Sequence, residues 1–228
     1  MYFFILFFLL SSIVFSDQRF FVWTYQPMIE AAGEFELELY TTLKEPEKGE
    51  SINNVWEHQI EIEAGISEKF DLSLYQVFEE KGNIFSFKGT KLRSRFMPYE
   101  RGKKFLDFVL YLEYFKNKDF QKADKMEVKA IFGKKIGKFE WATNLTAEYK
   151  TSPSDKFEYI LNFALTKKIW QNINLGFESF GIFEEEENQY YLGPTISILD
   201  HITFNFCFGL NNESDFARAR LIIWINLS

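Results

Sequence analysis

Apolar and polar side chains alternate residue by residue along most of this chain. Phe35, Leu37, Leu39 and Thr41 alternate with Glu34, Glu36, Glu38 and Tyr40, and Ile60, Ile62 and Ala64 with Gln59, Glu61 and Glu63. Further on, Phe108, Leu110, Leu112 and Tyr114 alternate with Asp107, Val109, Tyr111 and Glu113. A helix would mix the two sets around its axis, whereas a pleated strand puts each on its own side. The same reading places strands near residues 34–44, 55–66, 70–79, 84–97, 105–116, 125–136, 139–150, 156–168, 172–183, 189–199, 202–210 and 216–227. That is about twelve, an even number.

The connections carry a second signal. After the odd-numbered strands they read as polar and mostly longer, at 44–54, 80–83, 117–124, 151–155, 184–188 and 211–215. After the even-numbered strands they are mostly tight, at 67–69, 137–138, 170–171 and 200–201, with 98–104 the exception. Short turns at one rim and longer loops at the other fit a barrel with both ends on the periplasmic side. In the last strand Leu221, Ile223, Ile225 and Leu227 share one face, while Arg218 and Arg220 lie on the other. Closure of this strand on the first one turns the aliphatic face to lipid. It predicts Arg218 and Arg220 in the lumen across from Glu34, Glu36 and Glu38, and removes edges that lipid cannot hydrate.

The first sixteen residues form an apolar run ending Val14-Phe15-Ser16, followed at once by Asp17 and Arg19. The run is shorter than the roughly 20 residues that span a bilayer as a helix, and it reads as a cleaved secretory signal. It lacks the usual Lys or Arg at its start, and a short N-terminal anchor is the other reading. Residues 17–33, with Phe20-Phe21-Val22-Trp23-Thr24-Tyr25-Gln26-Pro27, precede the first clear strand. A periplasmic extension, a plug in the lumen and an added strand are the options, the last disfavoured because Pro27 interrupts a ladder.

Together these features resemble the bacterial outer-membrane β-barrel superfamily, porin- or transporter-like, over nearly all of the mature length and at the level of pattern. The resemblance implies an all-β fold, a closed antiparallel transmembrane barrel with up-and-down topology over residues 34–228. It also implies an outer-membrane location and, as partners, outer-membrane lipid, lipopolysaccharide and the barrel-assembly machinery. One departure concerns the end of the chain: many such barrels finish on an aromatic residue, whereas this one finishes Asn226-Leu227-Ser228 with Trp224 earlier.

Composition agrees with this inside-out arrangement. The 228 residues are 46% hydrophobic and 19% aromatic, with 28 phenylalanines, yet 26% are charged, so the two kinds are finely separated along the chain. The net charge of -7 and the absence of a basic stripe argue against nucleic acid as a partner. The inward positions collect Glu34, Glu36, Glu38, Glu57, Glu61, Glu63, Asp71, Asp107, Glu113, Glu127, Glu140, Glu148, Glu158 and Glu178 against Lys91, Arg93, Arg95, Lys129, Arg218 and Arg220. This acid excess predicts a narrow channel or transporter for small solutes with a weak cation preference, acidic ladders on the first two strands facing a basic ladder on the fourth. The competing arrangement pairs the same charges across a closed lumen, which leaves a structural or adhesive barrel.

Other chemistry is thin. Trp56, Tyr114, Trp141, Tyr149, Tyr159 and Tyr190 fall near strand ends on the outward face, where amphipathic rings suit the bilayer interface. The run Glu184 to Glu187 lies in an external loop, as a solvated charge cluster or a divalent-cation bridge to lipopolysaccharide. An outer-membrane lipid-modifying enzyme needs a nucleophile held by a histidine, and the chain has only His58 and His201, neither in a His-x-Ser arrangement. No cofactor motif and no His/Cys metal-ligand cluster appears. Cys207 is expected as a buried, unreactive thiol pointing inward.

Overall fold

A computed structural model describes residues 19–44, 55–151, 156–183, 187–199, 202–212 and 216–227. The expected leader, His201 and Glu184 to Glu186 lie outside the described residues. Twelve strands follow one another: β1 (Phe35–Lys44), β2 (Val55–Ser67), β3 (Phe70–Lys81), β4 (Ile84–Phe96), β5 (Asp107–Asn117), β6 (Lys125–Ile136), β7 (Phe139–Lys150), β8 (Lys156–Trp170), β9 (Ile173–Ile182), β10 (Glu187–Leu199), β11 (Ile202–Asn211) and β12 (Phe216–Asn226). Each pairs antiparallel with its neighbour in sequence, and β1 pairs with β12, which closes the barrel. The ends fall within two residues of those read from the alternation. At 10 to 15 residues, the strands are long enough to cross a bilayer at a tilt.

The polarity of the two faces is inverted relative to a water-soluble protein. Outward-facing Phe35, Ile62, Leu92 and Leu145 are about half exposed, at 51%, 53%, 54% and 50%, while Glu61, Asp71 and Arg93 are 0% exposed. An apolar belt of this extent is stable only against hydrocarbon or a partner surface. Trp56, Tyr114, Trp141, Tyr149, Tyr159 and Tyr190 all share the register of this outward face.

Two local expectations need correction. The connection expected at 80–83 is not a longer loop: β3 and β4 join through Gly82 and Asn83 alone, with Gly82 at φ 59°. Positive φ suits a tight hairpin turn, and glycine adopts it without strain. Arg218 and Arg220 do not lie across from Glu34, Glu36 and Glu38 but pair in register with Lys44 and Thr42, while Glu36 and Glu38 meet Asn226 and Trp224. The reason is antiparallel direction: Arg218 and Arg220 sit early in β12, at the outer rim, and the acids early in β1, at the opposite rim.

At the outer rim Asp124 organises the β5–β6 loop. Its carboxylate accepts from Lys116 Nζ and Tyr114 OH, each at 2.7 Å, and from the Asn117 amide at 2.9 Å. These bonds, the lysine's above all, hold its pKa down at about 2. A carboxylate depressed in the folded state adds order above its ordinary pKa and loses it as pH falls through the folded value. Amide exchange at Asn117, relative to its intrinsic rate, is therefore expected to stay slow at pH 4 and quicken near pH 2. Fast exchange at both pH values is expected for Asp124→Asn, and slow exchange in that variant would refute the assignment.

Candidate functional site

The barrel encloses two different regions, divided by its own N-terminal residues. Residues 19–30 run through the interior without regular structure, and the wall supplies the hydrogen-bond partners that a strand ladder would otherwise provide. Glu178 of β9 accepts from three successive amides, Val22, Trp23 and Thr24, at 2.6, 2.9 and 2.7 Å. Asn144 of β7 accepts from the Tyr25 amide at 2.7 Å and donates to the Tyr25 carbonyl at 2.8 Å. Asn205 of β11 donates to the Arg19 carbonyl at 3.0 Å, and the Glu30 amide donates to Asp71 of β3 at 3.1 Å.

Side chains lock the same segment. Arg19 donates to Glu38 at 3.0 Å and to Tyr40 OH at 2.9 Å, and Gln26 donates to Glu140. Phe21 is 1% exposed and packs with Ala142 and Ala164, small inward residues that leave room for its ring. Burial of that ring favours the enclosed position by roughly 1.5–3 kcal/mol. At Gly65 of β2 a Cβ would come within 1.8 Å of the Ala31 carbonyl oxygen, so only glycine lets the two backbones approach this closely. The Trp23 indole N–H donates to Cys207 at 3.0 Å, so the buried thiol already has a partner.

Beneath this segment, toward the periplasmic rim, the interior is packed with paired charge. Arg93 of β4 reaches past Ser73 of β3 to Glu61 at 2.7 Å and to Glu63, and donates to Tyr75 OH at 2.5 Å. Arg95 pairs with Asp71 at 2.6 Å and with Glu63. The acidic ladders of β1 and β2 and the basic ladder of β4 therefore do not face one another across open water. The acids of β2 touch the arginines of β4 directly, reaching past Ser73 of the intervening strand, whereas Glu38 of β1 pairs with Arg19.

Above the segment lies a vestibule of about 760 Å³, open at the outer rim and lined by Trp23 and Tyr25 from the segment itself. On one wall Glu113, Glu127, Glu148 and Glu158 stand in register across β5 to β8, a row of like charges that would repel if left alone. Each has its own lysine: Lys91 at 3.3 Å, Lys129 at 2.5 Å, Lys125 at 2.8 Å and Lys150 at 2.6 Å. The opposite wall, at the β12–β1 seam, carries Lys44, Arg218 and Arg220 against Glu57. There Arg220 lies 3.6 Å from the Trp23 ring centre and donates to Thr42 at 2.8 Å. The vestibule thus has a neutral acid–lysine lattice facing a wall with surplus positive charge.

Of the residues expected to line the lumen, Glu57, Lys91, Glu113, Arg218 and Arg220 border this vestibule. Glu36, Glu38, Glu61, Glu63, Arg93 and Arg95 are buried in the packed half, and Glu34 is half-buried at its rim. Lys44, Lys125 and Lys150 were missing from the expected set although they continue the inward register of β1, β6 and β7. Following the alternation to the terminal residue of each strand at the vestibule end finds them. Arg19 and Glu30 have no such signal, since they lie outside any strand.

His58 faces outward, with Nδ1 3.2 Å from Thr41 Oγ1 and Nε2 3.9 Å from Glu80 Oε2. A hydroxyl is within hydrogen-bond reach and the carboxylate is beyond it, so the chain of contacts that activates a nucleophile is incomplete.

No family model matches this sequence, and no curated protein matches it. Solved structures do. A KdgM porin superposes with a TM-score of 0.65 at 9% identity, covering 85% of this chain and 99% of the porin. The chain has the fold of a bacterial outer-membrane β-barrel. A second structure, the KdgM porin in complex with disordered oligogalacturonate, gives a TM-score of 0.62 at 7% identity, over 85% of this chain and 98% of that one. At such identities the likeness concerns strand number, closure and topology. The interior of this barrel has to be read from its own side chains.

Proposed function

We propose that this protein is an outer-membrane channel for small polar solutes, with its vestibule open to the exterior and its passage governed by residues 19–30. The observation that carries the reading is the water-accessible, charge-lined vestibule of about 760 Å³ inside a closed barrel. A barrel serving only as a scaffold has no need to keep eight ionised side chains in matched pairs around open space. The porins that share this fold support the same class of activity.

Ionic preference is expected to be weak. Much of the acid excess read from the sequence is consumed in the packed half, by Arg19, Arg93, Arg95 and the amides of residues 22–24. Within the vestibule seven basic side chains stand against six acidic ones among the described residues. We therefore read the solute as small and polar, and this near-balanced lining supports no marked cation preference of the kind the acid excess of the sequence predicts. Bilayer recordings under a salt gradient test this on a chain lacking residues 17–30. A reversal potential near zero is expected, shifting toward cations in the double variant Arg218→Glu, Arg220→Glu. A folded barrel that passes neither ions nor small sugars without its N-terminal segment would overturn the channel reading in favour of a closed structural role.

A further inference from the structure

Three carboxylates from three different parts of the chain converge below the N-terminal segment. Glu30 comes from the segment, Glu36 from β1 and Glu63 from β2, and each is at most 2% exposed. One oxygen from each lies within 4.8 Å of the other two. Glu30 Oε2 and Glu36 Oε1 are buried without a hydrogen-bond partner. All three residues border a cavity of about 20 Å³ that Glu38, Arg19, Arg95 and Trp224 also line, so four carboxylates share it with two guanidinium groups. Roughly 10–15 Å³ is enough for one water-sized occupant.

Around this cavity, charge is out of balance. The buried carboxylates Glu30, Glu36, Glu38, Glu61, Glu63 and Asp71 face the guanidinium groups of Arg19, Arg93 and Arg95, two negative groups for each positive one. A buried anion with neither a countercharge nor a donor is strongly unfavourable. Glu63 is neutralised through Arg93 and Arg95, but the free oxygens of Glu30 and Glu36 are not.

We infer that the cavity bounded by Glu30, Glu36 and Glu63 binds one hard divalent cation, calcium by preference, which ties the N-terminal segment to β1 and β2. Carboxylate oxygens are the ligands such ions select, and calcium accepts irregular sets at about 2.3–2.6 Å. Two oxygens on one calcium are then at most about 5 Å apart, a limit the observed cluster meets without rearrangement. Magnesium demands near-ideal octahedral geometry and dehydrates reluctantly, which an irregular, enclosed set of three carboxylates does not suit. Glu63 would contribute a lone pair that its arginines leave unused. The site does not depend on whether the vestibule conducts, since it lies on the far side of the segment.

Terbium(III) is the probe, because it substitutes for calcium and Trp224 on the same cavity is a built-in sensitiser. With the full chain folded in detergent at neutral pH, excitation of tryptophan is expected to give terbium emission that saturates at one site and is displaced by calcium. Glu30→Gln and Glu36→Gln are each expected to weaken terbium binding about tenfold or more, whereas Glu34→Gln leaves it unchanged. Trp224→Phe should abolish the emission while calcium still raises the thermal midpoint. If Glu36→Gln fails to fold, Glu30→Gln decides, since Glu30 is not part of the wall. No saturable emission, no competition by calcium, or unchanged binding in Glu30→Gln would overturn the site and leave a proton shared between the carboxyls as its occupant.

Discussion

Removing residues 17–30 is expected to raise single-channel conductance roughly tenfold, because that segment crosses the lumen between the vestibule and the charge cluster. The segment lies across the lumen above the charge cluster and is held by Glu178, Asn144, Asn205 and Asp71 from four strands. Its loss removes the backbone that floors the vestibule and leaves only the side chains of the charge cluster between the vestibule and the opposite rim. The intact chain should show brief, low openings, and Glu178→Ala should fall between the two. That substitution leaves three adjacent amides without their acceptor while the barrel ladder stays whole. Equal conductance for the intact and shortened chains, both verified as folded, would mean that residues 19–30 do not control passage.

The second large effect concerns stability. Arg93→Ala is expected to lower the free energy of unfolding by about 3–5 kcal/mol, the usual result of stranding buried charges by removing their partner. Arg93 is 0% exposed and contacts Glu61, Glu63, Ser73 and Tyr75. Without it two buried carboxylates lose a shared counterion. Arg93→Lys keeps the charge but not the planar fork, and an intermediate loss is expected. Urea unfolding followed by tryptophan fluorescence measures both. A midpoint for Arg93→Ala equal to that of the unaltered protein would show that the cluster contributes nothing to the fold.

The wall of this barrel was legible because membrane strands obey a period of two with opposite solvents on the two sides. Glu36, Glu61 and Arg93 were placed inward, and Leu110 and Ile223 outward, by parity alone. The partners of those side chains were not legible in the same way. Arg218 fell opposite Lys44 rather than Glu38, because parity fixes a face and says nothing about height along the axis. Residues 19–30 have no periodicity, and their contacts lie far away in sequence, with Glu178 more than 150 positions from Val22. A trace of them was nevertheless present. Carboxylates only accept hydrogen bonds, so fourteen inward acids against six inward bases called for donors from somewhere else. Arg19 and the amides of residues 22–24 are among those donors.

The seam between β1 and β12 joins the earliest and latest parts of the wall. Nothing holds that junction until the entire chain is available, so ring closure is the final event in forming the cylinder. By then residues 19–30 must already be inside, or find their way through an open end afterwards. A tether of only a few residues, 31–34, links them to β1, which keeps them close to the mouth throughout. Forming this protein therefore means wrapping a wall around a segment that is covalently tied to the first strand of that wall.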